Sequence, residues 1–235
     1  LKADVELAAA SEKVIQVSEQ QITSPPGARS QMTLPDGSKI WLSSETTLRF
    51  NIPFENGQRE VYLSGEAFFD VQSNPELPFI VRAGKVAVTV TGTRFNIKAW
   101  EEDKTTEVVL EEGVVYLGNL LQAGKNEGIM MNPGEQAIVD KSSGKTFVNK
   151  VSTEKYTSWY KGKLIFDETP MQEVALQLER WYGVKVIIGD PVIYKYRITT
   201  TFENEPLNQV LELLKISSPI DIQFYPAKLD DDYQI

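Results

Sequence analysis

The 235-residue chain contains neither cysteine nor histidine. Without cysteine there is no thiol nucleophile, no disulfide and no thiolate metal site. Without histidine the commonest general base and metal ligand is gone, and with it every Ser-His or Cys-His arrangement. Long apolar runs are missing too: nothing approaches the roughly 18 consecutive apolar residues of a membrane-spanning helix, and Ala8 to Ala10 is trivial by comparison. Positive charge is scarce. Lys and Arg number 24 against 33 Asp and Glu, a formal charge of -9, with no basic run to follow a phosphate backbone, so no nucleic-acid partner is expected. The first residue is Leu1 rather than Met, and upstream sequence able to hold a signal or membrane anchor is expected to have been removed.

Several enzyme signatures fail on spacing. No G-x-S-x-G occurs, and Gly118 to Lys125 misses the phosphate-loop pattern because five residues separate Gly118 from Gly124 and Asn126 follows Lys125. A paired-carboxylate glycosidase needs neither His nor Cys, and Glu66 with Asp70 is the available pair. Four residues of strand place them roughly 13 Å apart, too far for that chemistry unassisted. Glu101-Glu102-Asp103 and Asp230-Asp231-Asp232 lack the spaced ligands of a calcium loop and read as solvated turns. Trp41, Trp100, Trp159 and Trp181 would be the platforms of a carbohydrate-binding sandwich, the main alternative function, although such rings more often belong to a core. No catalytic, metal or cofactor residue is assigned.

What is present is strand grammar. From about Val14 to Val148, short runs rich in Val, Ile, Phe and Thr alternate in polarity between Gly, Pro, Asn and Asp. Leu34-Pro35-Asp36-Gly37-Ser38 predicts a hairpin turn before Ile40. Strands are predicted at Val61 to Leu63, Ala67 to Val71, Phe79 to Arg82, Val86 to Thr91, Phe95 to Trp100, Thr106 to Leu110 and Glu135 to Asp140, enough for a sandwich or jelly roll.

After Val151 the period becomes helical. Thr169 is expected to cap a helix whose first residue is Pro170, with Gln172 completing a capping box and Gly183 as the stop. Met171, Val174, Ala175, Leu178, Trp181 and Tyr182 share the inner face, leaving Glu173, Gln177 and Arg180 to water. Phe166 to Val174 aligns with Phe202 to Val210 at an offset of 36 residues. With strands at Lys163 to Phe166, Val184 to Ile188, Tyr196 to Phe202 and Asp221 to Tyr225, the tail reads as a duplicated βαβ unit. The expected division is an all-β domain over 1–150, a linker over 151–162 and an α+β domain over 163–235.

Residues 34–50 (LPDGSKIWLSSETTLRF), 59–84 (REVYLSGEAFFDVQSNPELPFIVRAG), 88–100 (VTVTGTRFNIKAW), 108–117 (VVLEEGVVYL) and 132–137 (NPGEQA) resemble the periplasmic FecR domain. Residues 162–186 (GKLIFDETPMQEVALQLERWYGVKV) and 198–214 (ITTTFENEPLNQVLELL) are similar to the C-terminal domain that accompanies it. The resemblance implies a jelly-roll-like sandwich followed by a small domain akin to the secretin and TonB short N-terminal (STN) domain. It implies a non-enzymatic anti-sigma factor in the periplasm, anchored to the inner membrane by a segment outside this chain. Its partners would be the signalling domain of a TonB-dependent outer-membrane transporter and, through an absent cytoplasmic segment, a sigma factor. Gly37, Gly65, Gly92 and Gly113 fit turns or bulges, and Phe68, Phe69 and Phe95 a sandwich core.

The resemblance implies that the small domain has two little sheets with two helices between them, and such sheets leave unpaired strand edges, which are templates for strand addition. The expected partner strand runs from Tyr194 to Phe202, with contacts from Lys195, Tyr196, Arg197, Ile198, Thr199, Thr200 and Thr201. Lys195 and Arg197 could equally guard that edge against self-association.

Overall fold

The computed structural model describes residues 17–54, 59–119 and 128–225. Among them, thirteen strands, β1 to β13, curl into one sheet folded over on itself. One face runs β1 (Ser18–Ser24), β4 (Thr46–Ile52), β5 (Arg59–Asp70), β6 (Phe79–Ala83), β7 (Val86–Val90), β10 (Val115–Asn119) and β11 (Ile129–Met131). The other runs β2 (Ser30–Thr33), β3 (Lys39–Leu42), β5 again, β8 (Arg94–Ala99), β9 (Thr105–Glu112), β12 (Glu135–Asp140) and β13 (Thr146–Lys150).

β5 belongs to both faces. The sequence suggested two strands, Val61 to Leu63 and Ala67 to Val71, but the chain runs through without a break. Up to Ser64 it pairs with β4 and β6, and from Gly65 onward with β3 and β8. Gly65 makes the crossing possible, because its φ is +110° and a Cβ there would lie 2.4 Å from the Thr46 hydroxyl. The alternation seen in the sequence fills the space between the faces: Val61, Leu63, Phe69, Phe79, Val81, Val88, Phe95 and Ile97 are all buried in one cluster. Phe69 stacks on Phe95 with centroids 5.0 Å apart. Phe68, expected in the same core, points to the opposite side of β5 and lies under Tyr160.

The predicted hairpin turn joins β2 to β3, closed by the Leu34 and Gly37 backbone. Asp36 in that turn accepts from the Ser38 amide and hydroxyl at 3.0 and 2.7 Å. It also accepts from Arg59 Nη1 at 2.7 Å, and the buried Arg59 reaches on to the carbonyls of Leu77 and Gln72. A buried guanidinium is tolerated because most of its donors have found acceptors.

The tail comprises β14 (Lys163–Pro170), α2 (Met171–Tyr182), a 3-10 turn (Pro191–Lys195), β15 (Arg197–Glu203) and α3 (Leu207–Ser217). β14 and β15 pair antiparallel, and both helices pack on one face of this ribbon around Phe166, Val174, Leu178, Ile198, Phe202, Val210 and Leu214. The 36-residue repeat shows at the helix starts: Pro170 and Pro206 are both N-caps in extended conformation.

Three tail expectations are corrected. Thr169 does not cap α2, because β14 continues to Pro170 and keeps Thr169 in the ladder opposite Ile198, with its hydroxyl turned back to Asp167. Val184 to Ile188 and Asp221 to Tyr225 form no ladder among the described residues, so the repeat is two β–α units rather than two complete βαβ units. Arg180 is buried, not solvated. Gly183 does end α2, as expected, and does so in the left-handed conformation.

Candidate partner-binding surface

β15 places the predicted contact residues, though not all on one strand. Asp190 caps the 3-10 turn by accepting from the Val192 amide at 2.8 Å, and Pro191 favours its first position. Lys195 therefore ends that turn, Tyr196 caps it, and the strand begins only at Arg197. From there the alternation is as the sequence suggests, with Ile198 and Phe202 buried in the tail core, Thr200 half-buried, and Arg197, Thr199 and Thr201 exposed.

Arg197 and Thr199 also have structural work. The β14–β15 register shifts between Phe166 and Thr169, with Glu168 at a positive φ of 46°. Thr199 Oγ1 accepts from the Glu168 amide at 3.0 Å, and Arg197 Nη1 donates to the Glu168 carbonyl at 2.6 Å, holding the bulge. Only β14 pairs with β15 among the described residues, so the far edge of β15 carries an unmatched row of donors and acceptors. Thr199, Thr200 and Thr201 line an open groove of about 450 Å³, together with Ile165 to Asp167 of β14 and Val151, Ser152 and Glu154 to Tyr156. The tail also exposes large apolar side chains, with Ile187, Ile216, Phe224 and Tyr225 each more than two-thirds accessible.

The groove exists because the segment 151–162, expected as a linker, is ordered against the sandwich as α1 (Glu154–Thr157) and a 3-10 turn (Ser158–Lys161). Trp159 is buried and donates from Nε1 to Asn96 Oδ1 at 2.9 Å. Tyr160 stacks on Phe68 at 4.1 Å, touches Trp41 at 4.9 Å, and accepts from Arg94 Nη2 at 2.9 Å. Arg94 holds Asp70 and Glu111 in turn, at 2.9 and 2.8 Å.

A second joint fastens α2. The Arg180 guanidinium lies 3.6 Å over the Trp100 ring and pairs with Asp103 at 2.7 Å and Glu102 at 3.1 Å. The Glu101–Asp103 turn, read as solvated acids, is thus half of an ion-pair clamp; Asp230 to Asp232 lie outside the described residues. Beside it Arg29 lies 3.8 Å over Trp181. Gly27 and Gly183, both at positive φ, bring the β1–β2 turn against the end of α2, where a Cβ on either would approach backbone to 2.9 Å. The sequence signal for this joint was only a lone cation beside a core stripe and a Trp next to three acids. Nothing local joins residues 77 positions apart.

Between the two joints lies a cleft lined by Glu66, Asn96, Lys98, Trp100 and Glu107 of the sandwich, and by Tyr156, Lys163, Glu173 and Arg180 among others. Burial pushes the Glu66 carboxyl above its ordinary value, opposed by Lys98, the Asn96 amide at 2.9 Å and Arg180. Burial likewise raises the Tyr156 hydroxyl, helped by Glu107 and Glu173. Glu66 is engaged by Asn96 and Asp70 by Arg94, so the two carboxylates do not converge on a common point. Trp100 and Trp159 are buried, while Trp41 and Trp181 are half-buried against Tyr160 and Arg29.

Residues 20–116 match the family model described as FecR protein, and residues 163–226 that described as FecR, C-terminal. No curated protein matches the chain. Two crystal structures of a candidate anti-sigma factor from Parabacteroides distasonis, at 1.65 and 2.50 Å resolution, are similar to it, each with 31% identity and a TM-score of 0.77. The first alignment covers 88% of this chain and 95% of that one, the second 89% and 96%.

Proposed function

Since the chain belongs to the FecR family of anti-sigma factors, whose role is regulatory and whose target is a sigma factor, we propose that it is the periplasmic sensory part of a protein anchored in the inner membrane. It receives the state of a TonB-dependent outer-membrane transporter through that transporter's signalling domain, and so governs an extracytoplasmic-function sigma factor. No helix among the described residues is long and apolar enough to cross a membrane, so the anchor in this reading lies outside them.

The observation that carries the reading is the open edge of β15 beside its groove, on a tail fastened to the sandwich at two joints. An extended segment of the signalling domain adds to β15, taking main-chain hydrogen bonds along the edge and contacts from Thr199 and Thr201. The joints give the tail a fixed platform, so binding at β15 is felt as load on α1 and α2 rather than as free rotation.

Titrating the transporter's signalling domain into isotope-labelled protein is expected to move the amides of Arg197 to Glu203 first. The Met171 amide donates to the Tyr196 carbonyl and the Asn204 amide to the Gly162 carbonyl, so odd-numbered residues of β15 turn their amides outward. Thr201→Pro, which removes one of those outward donors and is checked for folding by circular dichroism, is expected to abolish the shifts. Shifts confined to the sandwich, with β15 silent, would overturn the assignment of the edge.

A further inference from the structure

The sandwich has an unpartnered edge of its own. Among the described residues β13 is the last strand of its face and pairs only with β12. Unlike the strands within the sheet it is bare on both sides: Phe147, Val148, Asn149 and Lys150 are all exposed, Phe147 at 60%. The direction of its backbone follows from the bonds at its ends. The Val151 amide donates to the Gly134 carbonyl and the Asp140 amide donates to the Lys145 carbonyl. Odd-numbered residues therefore turn their amides and carbonyls toward β12, and Thr146, Val148 and Lys150 turn theirs outward. No described residue bonds those outward groups.

We propose that β13 is a self-complementary edge through which two copies of this chain pair antiparallel, with Val148 facing Val148 of the second copy. A twofold axis between antiparallel strands must pass through a residue pair, which excludes the register that sets Lys145 against Lys150. Centring on Val148 sets Thr146 against Lys150, Phe147 against Asn149 and Lys145 against Val151. All three outward residues then exchange both of their backbone bonds, and no like charges stand opposite each other. Centring on Phe147 would use only Thr146 and Val148, with Lys150 left facing Gly144 beyond the strand end. The flanking lysines, which ordinarily blunt an edge, here select the register. Paired in this way, the β2-to-β13 faces of two copies become one continuous sheet, and Val148 of each copy is covered by its mate.

The absence of native cysteine gives a direct test. In the proposed register Val148→Cys places two thiols on strands whose Cα atoms are about 5.5 Å apart, within disulfide reach. Thr146→Cys places them about 13 Å apart along the strands. Mild oxidation is expected to give a disulfide-linked dimer with Val148→Cys and a monomer with Thr146→Cys. Sedimentation of the cysteine-free chain should show a reversible dimer as concentration rises. Val148→Pro removes an outward donor and none to β12, so the dimer should be lost while the melting temperature stays where it was. The proposal is overturned by a chain that stays monomeric into the high micromolar range, by equal cross-linking at both positions, or by β13 amides that respond only to the transporter's signalling domain.

Discussion

The sandwich and the tail bury apolar surface in different ways. In the sandwich, β3 to β10 and β12 alternate so that inward side chains from two faces meet in one cluster, and Phe69, Phe95 and Ile97 keep no contact with solvent. The tail has one two-stranded ribbon and two helices, and α3 buries only Val210 and Leu214 while leaving Leu213 and Ile216 exposed. A three-turn helix with so little buried draws its stability from tertiary contacts rather than from itself. The comparison teaches how unequal the two cores are: the sandwich fills one large cluster between two faces, and the tail, with a smaller one, gains contacts where it is docked on the sandwich.

The strongest way to break the contrast is from the platform side. Phe69→Ala removes a ring stacked on Phe95 at the centre of the cluster and is expected to cost about 3 to 5 kcal/mol. Because the tail is docked on the same body, the loss should appear in the unfolding of both regions when followed by tryptophan fluorescence and circular dichroism. A loss confined to the tail would reverse the hierarchy.

Next is the clamp. Arg180→Ala uncovers Trp100 and leaves the Asp103 carboxylate without its cation, with an expected cost on the order of 3 kcal/mol. That loss should fall on the tail: amide exchange should quicken in α2 and β14 while β5 and β8 keep their protection. The limiting case is a fragment of residues 160–235. It should fold cooperatively by amide NMR, as a domain division near residue 151 requires, yet melt below the tail in the whole chain. A uniformly unfolded fragment would show that the tail core depends on the sandwich.

Gly183→Ala tests the same contact more gently. The substitution puts a Cβ on a left-handed residue and presses it toward the Gly27 amide, for an expected cost of about 1 to 2 kcal/mol by urea denaturation. The smallest effect concerns Glu66. Its carboxyl holds its proton more tightly in the folded chain than in the unfolded one, since burial raises it from the ordinary value of 4.5. Stability is thus greatest below that value and declines as the pH climbs from there through the raised folded value. Glu66→Gln keeps an acceptor for Asn96 and should raise the melting temperature at pH 7, with little change at pH 4; a variant less stable at pH 7 would mean that the charge is held for Lys98 and Arg180.

The sandwich was legible in the sequence because a two-residue period states directly which side chains are inside, as at Val86, Val88 and Val90. The turn at Asp36-Gly37 and the stop at Gly183 were legible because only certain residues tolerate those backbone angles. Thr169 misled because its chemistry suits a cap equally well, and the ladder to Ile198 took the position first. Val184 to Ile188 looked like a strand on apolar content, but a strand is defined by a neighbour and none was there to be read. Tyr194 to Lys195 were counted into β15 although Asp190 and Pro191 already spelled a turn. The clamp between Arg180 and Asp103 could not be read at all: burial of that cation is a property of the docked pair, visible in neither segment alone.

The shared strand β5 has a consequence for the order of assembly. It is the neighbour of β3, β4, β6 and β8, so neither face can close before it is in place, and each pairing it makes requires a loop to be closed. Half of the sandwich therefore has no stable stopping point. The sandwich should fold late, in a single step, and more slowly than a helical domain of its length, and truncations that end before Asp70 should yield no folded intermediate.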